Sequence, residues 1–512
     1  MKSLIQRASH LWHSRELAIF EREASDVEAS QRAVFSRLMT TFRSKNYPVP
    51  IFESYEEAAA AVPLEDFETQ SRRLDETWRR EPDLVWQPTS GSTGGRKWIP
   101  YTVEFRADTQ RVASVWLADL GRRYPGILRG THYWSLSWLP DELRERGDND
   151  DSRFLPWWQR RLMKSIFAVP SQIQKLPTNE ETWFATLVYL ANDDSLALMS
   201  VWSPTFALRL LEEVRSRRDE IVRSGDSFLR ARGLPSVAMR STPIPGANHP
   251  DFFQRLWPRL ALISSWDSAT SQSWAAKLRL VIPHVAFQGK GLWATEGPVT
   301  IPIGDRKVLC ASSHFYEFRR FATGEIVPAW KLEEGEEVQP LLWSSSGLIR
   351  LPLSDGVRVS GFHGKVPCLD FQSRLSSTDL VGEKIEARHA DSIAERARAL
   401  GVSTAGLFAV KNDRRYVLVT IGAKGALGDQ WIESELRSNH HYLLARELEQ
   451  LQAARVCNFA TYGELEATLV AGGFVRGQIK IEALCSVDSL GQENGPEKPE
   501  PLDRQMGQTY DH

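Results

Sequence analysis

Twice in this chain a short apolar run hands over directly to a helix start, and that order restricts the fold more than any other feature. Residues 196–202 (Leu-Ala-Leu-Met-Ser-Val-Trp) read as a buried strand. Behind them Ser203-Pro204 supply an N-cap and first-turn pair before the helical pattern of 206–215. Residues 260–263 repeat the arrangement ahead of a helix at about 273–280. Alternation of this kind predicts an α/β core on a parallel sheet, because parallel neighbours need a helical crossover between them.

Other segments have a different character. Helical periodicity covers about 25–67, is broken at Tyr47-Pro48-Val49-Pro50 and resumes over 56–62. Residues 1–39 interleave Arg, Glu, His and Asp with apolar residues, which reads as surface helix and not as the uninterrupted apolar core of a secretory signal. A strand at 83–87 runs into a glycine- and hydroxyl-rich loop, and a long helix is expected over 103–120. Short strands follow at 308–311, 339–343, 347–351 and 356–362. Beyond 374 come a hairpin (407–411 and 416–421, turning at Asn412-Asp413) and helices at 430–437 and 442–452.

A chain of 512 residues exceeds one ordinary core. We expect a large N-terminal α/β domain with a β-rich subdomain over 1–372 and a hinge at 373–377. A smaller, mobile α+β domain over 378–487 would follow, then a disordered Gly-, Pro- and Glu-rich tail over 488–512.

The formal net charge of -2 gives no electrostatic reason to expect nucleic acid or an anionic membrane as partner. No apolar run approaches the ~20 residues of a membrane helix. The four cysteines, Cys310, Cys368, Cys457 and Cys485, lack CxxC spacing, which suggests neither a zinc site nor a disulfide framework and fits a reduced, cytoplasmic protein. His10 and His13 lie a helical turn apart, with no third ligand beside them. The rings of His440 and His441 should diverge on a helix, and Ser312-Ser313-His314 does not by itself make a triad. The mixed charges of 212–219 read as a solvated helix face.

The densest chemical signal is Thr89-Ser90-Gly91-Ser92-Thr93-Gly94-Gly95-Arg96-Lys97-Trp98-Ile99-Pro100. Ser90, Ser92 and Thr93 offer hydroxyl donors, Gly91 and Gly94 let the backbone approach an anion, and Lys97 adds a compact positive charge. The loop is not the GxxxxGKS/T pattern of P-loop enzymes, because its hydroxyls precede the lysine and none follows it.

This run resembles the phosphate loop of the adenylate-forming superfamily, TSGTTGxxK. The continuation Ile99-Pro100-Tyr101-Thr102 narrows the likeness to the Gretchen-Hagen-3 acyl-acid amido synthetases. Further matches come in family order. Leu292-Trp293-Ala294-Thr295-Glu296-Gly297 resembles the ATEG segment of bacterial members, and Phe315-Tyr316-Glu317-Phe318 their FYEF segment. The stretch 347–355 is similar to GLYRYRLGD, and Phe371 to Arg374 followed by Gly382-Glu383-Lys384 is similar to the FxxR…GEK hinge region. Gly477-Gln478-Ile479-Lys480 stands where the family has its terminal lysine. The likeness spans about 30–487.

The resemblance implies ATP and Mg²⁺ as cofactors. Ser90, Ser92, Thr93 and Lys97 would hold the β- and γ-phosphates. Glu296 would ligate the metal, with Thr295 near the α-phosphate. Asp355 would accept from the ribose hydroxyls, and Arg374 would sit at the hinge near ribose or phosphate. Lys480, carried by the mobile domain, would stabilise charge developing on the α-phosphate. There are departures from the family pattern. The usual adenine-facing Tyr is Leu292, with Trp293 beside it. The second arginine of RYR is Pro352, and Ser354 replaces the glycine before Asp355.

The implied activity is adenylation of a carboxylic acid followed by acyl transfer to an amine, amino acids included. Thioester formation with coenzyme A or a carrier protein, and a non-catalytic nucleotide-binding protein, stand as alternatives. The runs 133–137 and 315–318 are the expected walls of the acyl pocket, and one or two of the 18 tryptophans are expected to join them.

Overall fold

The structure, a computed structural model, describes residues 2–88, 97–135, 166–237, 240–268, 271–375, 377–381, 383–422, 427–471, 474, 479 and 482–490. A hairpin of β1 (Val85–Pro88) and β2 (Trp98–Tyr101) comes first. Four strands then form a parallel sheet in the order β3 (Thr131–Trp134), β4 (Leu196–Ser200), β5 (Leu262–Ser265), β6 (Ala286–Gly289). The alternation at 196–216 and 262–281 is therefore the parallel core expected. The helices behind β4 and β5 run Pro204–Ser216 and Gln272–Val281. Along the sheet, Leu198 and Leu262 enter one core while Met199 and Ile263 enter the core on the opposite face. Burial on both faces explains why β4 is apolar throughout instead of alternating.

Two short strands, β7 (Trp293–Ala294) and β8 (Gly297–Pro298), pair around a tight turn. An antiparallel sheet follows, built from β9 (Thr300–Ile303), β10 (Arg306–Leu309), β11 (Phe315–Arg320), β12 (Ile326–Pro328), β13 (Glu337–Trp343), β14 (Leu351–Pro352), β15 (Asp355–His363) and β16 (Val366–Arg374). Its order is β12-β11-β13-β15-β16-β10-β9, with β14 on β13. Successive residues of β11 point to opposite sides. Phe315 packs among the N-terminal helices, whereas Tyr316 and Phe318 join the core shared with the parallel sheet. Beyond β16 lie the short pair β17 (Ser377–Thr378) and β18 (Ile385–Glu386). A mixed sheet of β21 (Arg455–Phe459), β20 (Arg415–Ile421), β19 (Ser403–Val410) and β22 (Leu484–Val487) then carries helices on both faces.

Several expected boundaries move for local reasons. Asp83 has φ 55°, so the first strand begins at Val85. The stretch 347–351 is mostly a turn: Gly347 at φ 92° and Arg350 at φ 46° bend the chain, and only Leu351 and Pro352 pair with β13. The helix expected over 442–452 is His440–Glu447, ended by Glu449 at φ 55°. The N-terminal helix, Lys2–Glu23, is more than surface, since Leu17 and Phe20 are buried in the core that includes Val112 and Val115 of the helix Val103–Arg123. The tail expected over 488–512 lies, from 491 onward, outside the described residues.

Candidate active site

The helix Val103–Arg123 starts where β2 stops. Thr102 caps it by accepting from Phe105 N at 3.2 Å, and Glu104 and Arg122 complement the helix dipole at its two ends. That fixes the outgoing end of the hairpin whose connecting residues are the glycine- and hydroxyl-rich loop. Ser90, Gly91, Ser92, Thr93 and Gly94 themselves lie outside the described residues. Lys97 is exposed at the start of β2, its Nζ 5.9 Å from the centre of the Phe67 ring.

Thr295 and Glu296 form the half-buried turn between β7 and β8. Tyr101, at the end of β2, donates its hydroxyl to the Thr295 carbonyl at 2.9 Å. One hydrogen bond thus ties together two segments that are remote in sequence and that the resemblance assigns to one nucleotide. Gly297 is required by packing, because a Cβ there would meet His314 Cδ2 at 2.7 Å and Leu342 Cδ2 at 2.8 Å. His314 is fully buried and stacks on Phe105 at 5.3 Å, and burial lowers its pKa. It supports the turn as packing.

A cavity opens at the carboxyl ends of the parallel strands, where open α/β sheets generally take their ligands. From that side come Ser203, Trp266, Lys290 and Leu292. The antiparallel sheet contributes Asp355 and Phe371, and the C-terminal part contributes Asp391, Glu482 and Leu484. Asp355 is the first residue of β15 and only 5% exposed, and in register it faces Arg374, the last residue of β16. Burial, reinforced by the charge of Glu395, pushes the Asp391 carboxyl up to about 6. Lys480 lies outside the described residues, two positions before Glu482. Of the expected site residues with described side chains, Asp355 lines the cavity, while Lys97, Thr295 and Glu296 do not. Leu292 lines it and Trp293 does not; Trp293 packs against the core instead.

The expected acyl-pocket walls need correction. Phe315, Tyr316, Glu317 and Phe318 are all fully buried in cores, and Tyr133 is buried among the helices behind the parallel sheet. Leu136 and Ser137 lie outside the described residues. An aromatic run gives the same signal whether it faces a cavity or a core, and only the packing separates the two. The charges at 212–219 are likewise not simply solvated: Glu213 accepts from Arg209 at 2.7 Å and from the Trp183 indole at 2.7 Å.

Two features escaped the sequence reading. Arg350 forms a two-pronged, buried ion pair with Glu317, through Nε to Oε2 at 2.9 Å and Nη2 to Oε1 at 3.0 Å. Tyr55 and Trp343 donate to the same carboxylate at 2.9 and 2.8 Å. The motif residues Glu317 and Arg350 thereby join the N-terminal helices to the antiparallel sheet.

The second feature is Lys290, 6% exposed, whose Nζ donates to Ser200 Oγ at 2.8 Å. Its ammonium lies 4.7, 4.9 and 6.0 Å from the ring centres of Trp116, Trp202 and Trp134. Burial pulls its pKa down to about 7. A signal for it exists in the Gly289-Lys290-Gly291 sequence at the end of a strand. A Cβ at Gly289 would strike the Asp267 carboxylate at 2.1 Å, and one at Gly291 the Thr300 carbonyl oxygen at 2.1 Å.

The fold is shared with solved acyl acid amido synthetases. A GH3.15 acyl acid amido synthetase in complex with 2,4-DB is similar with a TM-score of 0.69 and 14% identity, over 92% of this chain and 94% of that one. Another GH3.15 acyl acid amido synthetase structure gives a TM-score of 0.68 and 15% identity, over 91% of this chain and 94% of that one. At such identities the likeness speaks for the fold. No curated protein sequence matches the chain. The GH3 family N-terminal domain matches residues 17–224 and the GH3 family central domain residues 307–374, together more than half of the chain. The chain belongs to the GH3 family.

Proposed function

We propose that this protein is a ligase that adenylates a carboxylic acid with ATP and passes the acyl group to an amine. A carboxylate oxygen bonds to the α-phosphorus and pyrophosphate leaves. The amine nitrogen then bonds to the acyl carbon, AMP leaves and the nitrogen loses a proton. The observation that carries the reading is the cavity at the carboxyl ends of the parallel strands, into which Asp355 faces, in a chain whose N-terminal and central parts match the GH3 family.

In this reading Ser90, Gly91, Ser92, Thr93, Gly94 and Lys97 cradle the triphosphate, Asp355 accepts from the ribose, and Arg374 acts at the hinge. Lys480 opposes charge that builds on the α-phosphate. The part over 378–487 closes over the part over 1–372, which holds the reactants in line and excludes water from the reactive adenylate. Glu296 fits Mg²⁺: it is a half-buried carboxylate on a fixed turn, and this metal takes one or two protein carboxylates alongside phosphate oxygens and water. When bound, the metal would neutralise phosphate charge. Cys310 and Cys368 are free, buried thiols, which suits a cytoplasmic setting, and among the described residues no helix is long and apolar enough to cross a membrane.

The test is ATP–pyrophosphate exchange with a panel of acids. We expect exchange with at least one acid, and a loss of about tenfold or more in Lys480→Ala, equivalent to ~1.4 kcal/mol of transition-state stabilisation. Lys97→Ala should weaken ATP. Product analysis with amines and coenzyme A offered together should show amide. Absence of exchange across the panel overturns the proposal.

A further inference from the structure

We infer that Lys290, positioned by Ser200, anchors the carboxylate of the acid substrate in the cavity, an assignment that rests on the adenylation reading above. A buried ammonium is costly without a counter-charge. Lys290 has none among the described residues: its contacts are the Ser200 hydroxyl and the three indole faces. The other lysine of the cavity wall, Lys307, is already paired with Asp267 at 3.0 Å. Lys290 is therefore a cation held for an anion that comes and goes.

The nature of the anion follows from the surroundings. Ser200 Oγ accepts one of the three ammonium N–H groups of Lys290, which leaves two for the oxygens of a carboxylate that reaches Lys290 from the cavity. The cavity wall that Lys290 shares with Trp266, Leu292 and Phe371 suits an apolar or planar acid attached to that carboxylate. A triphosphate has its own expected cradle at the Ser90 to Lys97 loop.

The position of Lys290 is itself held from several sides. Its backbone N–H donates to Ser265 O at 2.9 Å and continues the β5–β6 pairing, and Gly291 beside it is required by close packing against the Thr300 backbone. With its pKa near 7, Lys290 is only partly charged at neutral pH in the empty cavity. A carboxylate binds the protonated form and raises that pKa again. Affinity for the acid should consequently weaken as pH rises through about 7 and beyond.

The experiment titrates benzoate, phenylacetate and octanoate into full-length protein, reading the fluorescence of the surrounding tryptophans, and measures exchange kinetics in parallel. Wild type should show saturable carboxylate binding that declines with rising pH. Lys290→Met should weaken it at least tenfold and remove the decline above about pH 7. The same variant should raise KM for the acid while leaving KM for ATP and the thermal midpoint near wild type. Ser200→Ala should weaken the acid severalfold. Unchanged acid affinity in Lys290→Met, or no saturable response to any carboxylate, overturns the assignment. Carboxylate binding that depends on Lys290 in a protein without exchange would support the anchor and reject adenylation, so the two failures are distinct.

Discussion

Replacing Arg350 by Met should destabilise this protein far more than an ordinary arginine substitution. The Glu317 carboxylate is fully buried, and its partner Arg350 is only 6% exposed. Removing the guanidinium strands a buried charge that keeps only the Tyr55 hydroxyl and the Trp343 indole as donors. Breaking a buried pair from one side costs about 3–5 kcal/mol. Arg350 also donates to the carbonyls of Ala59 and Val62, and losing those two bonds adds roughly 1 kcal/mol each. The expected loss of about 5–7 kcal/mol is comparable with the whole stability of many domains, ~5–15 kcal/mol. Urea unfolding of wild type, Arg350→Met, Glu317→Gln and the double variant provides the assay. The double variant should recover part of the loss, because no uncompensated charge remains. A loss below about 1.5 kcal/mol in Arg350→Met refutes the reasoning, since that is the range of an exposed pair with one hydrogen bond.

Two more outcomes follow from single contacts. Tyr101→Phe removes the bond to the Thr295 carbonyl and should cost ~1 kcal/mol of stability. Because that bond joins the two segments that the proposed function assigns to the nucleotide, exchange should fall through KM for ATP while KM for the acid is unchanged; equal ATP kinetics would dismiss the link. His132 is fully buried and donates Nε2–H to the Ile127 carbonyl at 2.8 Å, and burial holds its pKa down at about 4 against an ordinary 6.5. The unfolded chain takes up that proton first on acidification, so stability falls as pH drops from about 6.5 to about 4. The full loss is ~3 kcal/mol, and urea midpoints measured across that window should flatten in His132→Gln.

The secondary structure was legible where its signals are local. The apolar run of 196–200 with Pro204 behind it, the long helix after Pro100 and the hairpin around Asn412-Asp413 each rest on signals within a few residues, and the structure has all three. Where local backbone was overruled, the cause came from elsewhere. Residues 347–350 have strand-like composition but turn, and the Arg350 side chain is drawn to Glu317 on β11. The pairing of β16 with β10 could not be read from the sequence either, because periodicity says which residues share a face and not which strand lies beside it.

The same division runs through the candidate site. The sequence by itself determined the class of core, since caps, apolar periods and glycines operate over one turn or one strand. The family resemblance also singled out Asp355, which the structure places at the start of β15. Tertiary structure alone decided that Phe315 and Tyr133 are core, that Tyr101 reaches Thr295, and that Lys290 is a desolvated cation walled by Trp116, Trp134 and Trp202. Burial is not a property of a residue but of everything packed over it, and the tryptophans that desolvate Lys290 arrive from three separate parts of the chain.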